Sequence, residues 1–393
     1  MNNISFELKD KEYIVYLSGR IDSSNAAEVE SAIYAIPDIK GYENITLDAE
    51  KLEYISSAGL RIILRLRKEH RGLKIINAST EVYEILDMTG FTEMVPVQKA
   101  YRKLSVEGCE VIGQGANGKV YRLDADTIIK VYVNPSALED VHRERELARR
   151  AFVLGIPTAI PYDVVKVGEN YGSVFELLNA RSFAKILAAE PERIDEIASL
   201  YVDLLKKIHS TDVGNCEMTD LKATQLKAVT EIKDHIPEEK YQKLYKLISD
   251  VPECHNMIHG DYHVKNVMLQ NGEVLLIDMD TLSFGNPVFE FCPIYNAYLG
   301  YTALDHNVAL EFLGVPYELC VTLWKKTLEL YFGTTDKEYL QTVEDKASVI
   351  SFMRLLRRNI RREQFKTEKG KKEYDYYRSE LLRLIDKVDS LAL

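Results

Sequence analysis

The chain has 393 residues, of which 46% are hydrophobic and 28% charged, and this composition indicates a soluble globular protein of more than one domain. Its 50 basic and 61 acidic residues give a net charge of −11, which argues against general binding to nucleic acid or to anionic membranes. The amino terminus lacks the basic and apolar segments of a signal peptide, and no apolar run approaches the ~18 residues of a membrane-spanning helix. The five cysteines are scattered, with no C-x-x-C pair, so we expect reduced thiols in a cytoplasmic protein.

The first hundred residues alternate between strand and helix patterns. Strands are predicted at 13–17, 44–48 and 73–77, and helices at 22–36, from 57 onward and around 82–86. Strands separated by helices of this length predict a small α/β domain.

A short motif in this region, Ser56 to Leu60 (SSAGL), gives the domain a family resemblance together with Gly19 to Asp22 upstream. Residues 1–98 resemble a STAS domain, the fold of anti-sigma-factor antagonists and of the cytoplasmic ends of sulfate transporters. The resemblance implies a protein partner for this domain and phosphorylation of Ser57, and the first turn of a helix tolerates a phosphate. The alternative is that Ser56 or Ser57 only caps the helix. Ser56 also departs from the family, which usually has an aspartate there.

A glycine-rich segment follows Pro96, with Gly113, Gly115 and Gly118 between two predicted strands. Glycines let the backbone approach a polyanion closely, and successive N–H groups can donate to it. A further strand over 127–132 comes next, so the motif lacks the strand-to-helix setting of a dinucleotide fold. The segment therefore predicts a β-meander with a phosphate-covering loop.

Lys130 lies within that apolar strand, where a half-buried ammonium is costly unless an acid or a phosphate pairs with it. The predicted helix from Ala137 to Leu154 offers Glu144 or Glu146, and the spacing to the following turn favours Glu144. The alternative is a solvated helix face with intrahelical Glu–Arg pairs.

The segment MIHGDYHVKNVML contains Asp261 and, five residues later, Asn266, and an apolar strand over 273–277 then ends at Asp278. Phosphoryl transfer needs a carboxylate near the attacking hydroxyl and oxygen ligands for Mg²⁺. Asp261 supplies the first, and Asn266 with Asp278 supplies the second. Each motif is weak alone, but their order along the chain favours a kinase-like site.

Residues 101–300 resemble the aminoglycoside phosphotransferase and choline kinase superfamily, the small-molecule branch of the protein-kinase-like fold. The resemblance implies binding of ATP and Mg²⁺. It implies nucleotide contacts from Gly113, Gly115, Gly118, Lys119, Lys130, Glu144, and the hinge residues Glu176 and Leu178. It implies metal binding by Asn266, Asp278 and Asp280, and a catalytic group of Asp261, His259 and His263.

Two details favour a small-molecule acceptor over a protein substrate. The motif is H-G-D rather than H-R-D, and His263 stands where protein kinases carry a lysine. His259 is expected to orient the loop by hydrogen bonds, because Asp261 already serves the hydroxyl. Asp280 is either a second metal ligand or a structural acceptor within the loop.

The sequence thus predicts an α/β STAS domain over 1–98, followed by an α+β two-lobed protein-kinase-like fold. The β-rich lobe covers 99–178 and the helical lobe 179–393, with a short linker near 98–104. The expected function is ATP- and Mg²⁺-dependent phosphotransfer to a small-molecule hydroxyl. The alternatives are a signalling protein whose kinase domain phosphorylates a STAS serine, and a non-catalytic nucleotide-sensing scaffold.

The basic segment Arg354 to Lys372 has two interpretations. One is a clamp for an acidic substrate or a nucleic acid. The other, which we favour at this level, is a single helix with Met353, Leu355, Leu356 and Ile360 packed inward and its charges solvated.

Overall fold

The computed structural model describes residues 4–9, 12–115, 118–214 and 218–393. The chain divides into two compact units, Met1–Ser105 and Val106–Leu393. None of the helices in the described residues combines the length and apolar character needed to cross a bilayer.

The first unit is built on a sheet with strand order β1-β2-β3-β4-β5. Its strands are β1 (Ile4–Lys9), β2 (Glu12–Ile21), β3 (Ile45–Ile55), β4 (Lys74–Ala78), β5 (Val97–Lys99) and the short β6 (Arg102–Lys103). Its helices are α1 (Ala26–Tyr34), α2 (Ser57–Glu69), α3 (Thr80–Met88) and α4 (Phe91–Met94), with a 3₁₀ turn at Ile39–Gly41. β1 pairs antiparallel with β2, whereas β2 to β5 run parallel. The α/β fold expected for this part of the chain is confirmed. The segment expected to be a linker, 98–104, contains the end of β5 and all of β6.

Apolar side chains from both element types form the core of this unit. Val15 and Leu47 of the central strands are buried to 1% exposure or less and cluster with Val29 and Ile63 of the helices. Parallel strands must be covered by helices because their connections cross over the sheet. The helical periodicity in the sequence therefore reflects burial against this sheet.

The start of α2 distinguishes the two serines of the SSAGL motif. Ser56 has extended backbone, and its side chain accepts a hydrogen bond of 3.2 Å from the Ala58 N–H, so Ser56 is the N-cap. Ser57 is the first helical residue and is exposed. Only Ser57 therefore presents a hydroxyl to solvent without a capping role.

The second unit begins with strands that lie side by side in the order β10-β11-β9-β8-β7, all antiparallel. They are β7 (Val111–Gln114), β8 (Gly118–Arg122), β9 (Thr127–Tyr132), β10 (Pro161–Val167) and β11 (Asn170–Glu176). Helix α5 (Leu138–Val153) stands between β9 and β10 in the chain and buries Glu144 among apolar residues. This matches the expected β-meander and its helix.

The rest of the second unit is mostly helical. Its helices are α6 (Phe183–Ala189), α7 (Ile194–Ser210), α8 (Leu221–Glu231), α9 (Glu238–Ser249), α10 (Val288–Tyr295), α11 (Asn307–Leu313), α12 (Tyr317–Phe332), α13 (Lys337–Arg361) and α14 (Glu368–Lys387). Its short strands are β12 (Arg181–Ser182), β13 (Thr219–Asp220), β14 (Met257–Ile258), β15 (Val267–Gln270), β16 (Glu273–Leu276) and β17 (Ser283–Phe284). Single turns of 3₁₀ helix lie at Pro191–Arg193, Lys233–His235, Met279–Thr281 and Gln364–Lys366, and a π-helical turn at Asn296–Gly300. The predicted protein-kinase-like arrangement, sheet first and helices after, is confirmed.

The basic segment from Arg354 to Lys372 is not one helix. α13 ends at Arg361, Glu363 has a positive φ of 52°, and α14 begins after Thr367, whose side chain accepts a hydrogen bond from the Gly370 N–H. A left-handed residue cannot continue a right-handed helix, and Thr367 caps the new one. The expectation of a single helix is therefore corrected.

The two serines give a test of the fold. We expect Ser56→Ala to lower the free energy of opening of α2 by about 1 kcal/mol, because the Ala58 N–H loses its acceptor. Ser57→Ala should change it by less than about 0.5 kcal/mol, since Ser57 caps nothing. Hydrogen exchange of the α2 amides in the full chain measures both values. A larger effect at Ser57 than at Ser56 would contradict the assignment of the cap.

Candidate active site

The glycine-rich segment joins β7 to β8 and forms one wall of a cavity of about 430 Å³. Gly118 is required by packing, because a Cβ on it would lie 2.3 Å from the Val131 carbonyl oxygen of β9. Gly115 donates from its N–H to the Gly118 carbonyl at 3.0 Å, which closes the turn. Ala116 and Asn117, within the expected phosphate-covering loop, lie outside the described residues.

Most of the residues expected to bind nucleotide or metal line this one cavity. They are Gly113, Gly115, Gly118, Lys130, Glu144, Glu176, Leu178, Asn266, Asp278 and Asp280. Lys119 does not line it and is exposed. Side chains alternate across a strand, so Val120 faces the cavity and its neighbour Lys119 faces away. This corrects the expected nucleotide contact from the Lys119 side chain.

Lys130 of β9 is the centre of a charged network. Its Nζ lies 2.7 Å from Glu144 Oε1 and 3.1 Å from Asp278 Oδ1. The Tyr132 hydroxyl donates to the other Glu144 oxygen. Burial alone would lower the pKa of Lys130, but the charges of Glu144 and Asp278 outweigh it and raise that pKa. Lys130 is therefore a fixed cation at the cavity.

The end of β11 forms another wall. Glu176 exchanges hydrogen bonds with Ile160: its N–H donates to the Ile160 carbonyl at 3.0 Å, and its carboxylate accepts from the Ile160 N–H at 3.3 Å. The Leu177 N–H donates to the Asp126 carbonyl at 2.7 Å. Glu176 and Leu178, which flank Leu177, both line the cavity. These bonds fix the backbone where the hinge was expected.

Asp261 lies in the loop between β14 and β15 and is half-exposed, with His263 Nε2 3.5 Å from its Oδ2. Burial acts to raise the pKa of Asp261. The hydrogen bond and charge of His263, with the charge of Arg354, outweigh it and hold that pKa below its usual value. Asp261 is thus an ionised carboxylate at neutral pH.

His259 is fully buried and holds the loop. Its Nδ1 accepts from the Asp261 N–H at 3.3 Å, and its Nε2 lies 3.2 Å from the Ile277 carbonyl, to which it donates. With both ring nitrogens engaged, His259 positions Asp261 and does not reach a substrate. His263 is also buried, so its contact is with Asp261.

Asn266 connects the cavity to Asp261. Its Nδ2 donates to the Asp261 carbonyl oxygen at 2.9 Å and lies 3.4 Å from Asp261 Oδ2, while Asn266 itself lines the cavity. Because the amide nitrogen is engaged by Asp261, its oxygen remains for another partner. The loop carboxylate therefore borders the end of the cavity that contains Asn266.

Asp278 and Asp280 lie on a tight turn directly after β16. Asp278 has a positive φ of 66°, a conformation that costs free energy in a non-glycine residue and recurs at functional sites. Burial and the negative charge of Asp278 raise the pKa of Asp280 to about 6. This excess of negative charge attracts a cation.

The donor set suits Mg²⁺. Among the described residues, no group of three His, Cys, Asp or Glu side chains is close enough to hold a metal by itself. Mg²⁺ is usually held by one or two carboxylates together with water and substrate phosphates. Asp278, Asp280 and the amide oxygen of Asn266 are oxygen donors of that kind, so the residues fit a nucleotide-bound Mg²⁺.

One functional residue escaped the sequence analysis. Glu290 of α10 is fully buried, and its carboxylate accepts from the N–H groups of His259 at 2.5 Å and Gly260 at 2.9 Å. Gly260 has a φ of 83°, and a Cβ there would lie 2.8 Å from the Thr281 carbonyl oxygen. The signal for Glu290 was a single acid within the apolar run PVFEFCPIY.

Comparison with protein-family models gives two matches. A model described as phosphotransferase enzyme family matches residues 108–314, more than half of the chain. A STAS domain model matches residues 3–104. Among curated proteins, a putative anti-sigma factor antagonist, BtrV of Bordetella bronchiseptica, is 35% identical over 92 residues, which are 22% of this chain and 78% of that protein.

Solved structures resemble the second unit in fold. The apo form of a thermostable mutant of aminoglycoside phosphotransferase APH(4)-Ia has a TM-score of 0.50 at 12% identity, covering 72% of this chain and 97% of that one. A ternary complex of a further variant of that enzyme with ADP and hygromycin B has a TM-score of 0.50 at 11% identity. It covers 71% of this chain and 93% of that one. The chain therefore belongs to the phosphotransferase enzyme family and carries an N-terminal STAS domain.

Proposed function

We propose that this chain transfers the γ-phosphoryl group of ATP, bound with Mg²⁺, to a hydroxyl group of a small molecule. The observation that carries the proposal is the position of Asn266, which lines the cavity of Lys130 and Asp278 while donating to Asp261. A phosphate-binding cation and oxygen donors for a metal thus line one cavity, and an ionised carboxylate contacts Asn266 of that lining. That combination is what phosphoryl transfer requires.

In this proposal, some residues bind the nucleotide and the metal, and Asp261 accepts the proton. Lys130 binds phosphate oxygens with its ammonium group, which Glu144 holds in place. Asp278, Asp280 and Asn266 would hold Mg²⁺, which supplies positive charge to the phosphates when bound. A bond forms between the acceptor oxygen and the γ-phosphorus, the bond to the β-phosphate oxygen breaks, and ADP leaves. Asp261 accepts the hydroxyl proton.

The structural neighbour with ADP supports nucleotide binding in the same fold. The H-G-D motif and His263 beside Asp261 support a small-molecule acceptor rather than a protein. We further propose a cytoplasmic location. The four cysteines among the described residues, Cys109, Cys254, Cys292 and Cys320, are free thiols, and Cys216 lies outside those residues.

We also propose that the STAS domain binds a protein partner and that Ser57 is its phosphorylation site. Support comes from the exposed position of Ser57 on the first turn of α2 and from the similarity to a putative anti-sigma factor antagonist. A phosphate at that turn adjoins unpaired backbone N–H groups and the positive end of the helix dipole.

Replacing the loop carboxylate tests the transfer step. We expect Asp261→Asn to keep its fold and its affinity for Mg-ATP but to lose roughly 10²–10⁴-fold in kcat, because the amide cannot accept the proton. ATP consumption is measured against a panel of amino alcohols, sugars and aminoglycosides. Asp375→Asn, which removes an exposed carboxylate on α14, is the matched control and should behave as wild type. Wild-type turnover in Asp261→Asn would refute the catalytic assignment.

The metal assignment predicts that nucleotide affinity depends on both Mg²⁺ and Asp278. Asp278→Ala should weaken binding of Mg-ATP by at least about tenfold, equivalent to about 1.4 kcal/mol, because a metal ligand is lost. Calorimetric titration with Mg²⁺ and with EDTA measures the effect, and Asp375→Ala serves as control. Tight binding without metal that is unchanged in Asp278→Ala would favour the nucleotide-sensing scaffold instead.

A third experiment separates a small-molecule kinase from one that phosphorylates its own STAS domain. The purified chain is incubated with Mg-ATP and Ser57 is analysed by mass spectrometry, with Ser57→Ala as control. We expect no phosphate on Ser57, since the H-G-D motif and His263 favour a small-molecule acceptor, and a separate kinase would then modify Ser57. Stoichiometric phosphorylation of Ser57 would make the STAS serine the acceptor.

A further inference from the structure

A second cavity in the kinase-like unit, of about 310 Å³, has an unusual lining. Five arginines from the last turns of α13 and the segment after it line it: Arg354, Arg357, Arg358, Arg361 and Arg362. Tyr301 forms another part of the wall. We call this the arginine cavity.

Only part of this positive charge is neutralised by the protein. Arg357 forms a two-pronged ion pair with Glu231, at 2.7 and 2.9 Å, and Arg361 lies 3.9 Å from the same carboxylate. Arg358 lies over the ring of Tyr301, 5.2 Å from its centroid. In the residues that the structure covers, no carboxylate lies within 4 Å of Arg354, Arg358 or Arg362. Three guanidinium groups thus lack an acidic partner.

Arg354 is the most informative of the three. It is half-buried, and within the described chain its guanidinium Nη1 donates a hydrogen bond to Cys292 Sγ at 3.6 Å. Burial raises the pKa of the Cys292 thiol, so the sulfur is neutral and a weak acceptor. A guanidinium withdrawn from water is costly unless an anion pairs with it. The lining of the arginine cavity therefore carries positive charge that no acidic side chain of the described residues neutralises.

Contacts connect the arginine cavity to the loop carboxylate. The ring of Tyr301 packs edge-on against Phe312 at 5.8 Å, and Phe312 packs edge-on against His263 at 5.3 Å. His263 in turn contacts Asp261 at 3.5 Å. The charge of Arg354 also contributes to the lowered pKa of Asp261. The arginine cavity is therefore connected to Asp261 through packed side chains, whereas the nucleotide cavity is lined by other residues.

We propose that the arginine cavity binds an anionic group of the acceptor, a carboxylate or a phosphate, and so presents the acceptor hydroxyl to Asp261. The substrate class is then hydroxylated small-molecule anions rather than cationic amino alcohols. This inference rests on the proposed phosphotransferase function. Arg354 and Arg358 supply planar donors that match the oxygens of either anion, and they repel a cation.

The size of the cavity and the overall charge favour a small molecule over a nucleic acid. A volume of about 310 Å³ lies at the lower end of the range of small-molecule pockets. The chain carries a net charge of −11, which opposes the approach of a polyanion. A local cluster of arginines within an acidic protein selects a short anion that enters the cavity.

Calorimetric titration of the full chain tests the proposal, with four probes in the presence and absence of saturating Mg-AMP-PNP. The probes are inorganic phosphate, glycerol 3-phosphate, glycerate and choline. We expect at least one of the two hydroxylated anions to bind and choline not to bind. Tighter binding of glycerol 3-phosphate would indicate a phosphate ligand, and tighter binding of glycerate a carboxylate. The nucleotide analogue blocks binding of anions at Lys130.

Variants locate the binding. Arg354→Gln and Arg358→Gln should each weaken anion binding by at least about tenfold. Arg358 is exposed, so its replacement leaves the fold intact even if Arg354→Gln is unstable. Arg383→Gln is an equal charge change at an exposed position of α14 that does not line the cavity, and this variant should bind as wild type. Choline binding as tightly as the anions, or anion binding unchanged in Arg358→Gln, would overturn the proposal.

The same titrations separate this inference from the proposed function. If Mg-AMP-PNP binds but neither hydroxylated anion does, the anionic acceptor class is wrong and the phosphotransferase proposal stands. If the anions bind through Arg358 but Mg-AMP-PNP does not, the arginine cavity is an anion site and the proposed nucleotide-dependent transfer fails.

Discussion

The ion pairs of Lys130 with Glu144 and Asp278 are the interaction on which the kinase-like unit depends. They join strand β9 and helix α5, which are consecutive in the chain, to the turn after β16, where Asp278 lies 148 residues from Lys130. Lys130 and Glu144 are largely buried, so removing either one leaves an uncompensated charge, which costs far more than a surface ion pair contributes. The sheet, the helix and the turn after β16 are therefore held in one arrangement by charge as well as by packing.

Glu290 holds the loop of Asp261 in position, as Glu144 holds the side chain of Lys130. Each is a carboxylate with less than 5% of its surface exposed, and each accepts hydrogen bonds from the groups that it holds in position. Buried hydrogen bonds to charged acceptors are strong and directional. Asp261 is thereby left half-exposed on a loop whose backbone Glu290 fixes, which is the arrangement that the proposed transfer to an incoming hydroxyl would need.

The sequence predicts the fold class and the family because both rest on motifs with strict local geometry. Strand β9 spans the residues that the sequence pattern predicts, and Glu144 contacts Lys130 as the spacing along the helix indicates. Local patterns cannot say which face of a strand points to a ligand, so Lys119 was assigned to the nucleotide and lies on the other side. Local patterns also do not show which residues meet in the folded chain, so they do not identify Glu290 as the acceptor for the loop of Asp261.

The way Glu290 holds the loop has a consequence for how this site can diversify. Its carboxylate accepts from backbone N–H groups, and backbone groups are the same whatever side chains they carry. Side chains elsewhere in the helical part can therefore be exchanged without moving the loop of Asp261. Under the proposed function, the helix that ends at Arg361 is one such element, and its arginines could change with the chemistry of the acceptor while the loop of Asp261 stays in place.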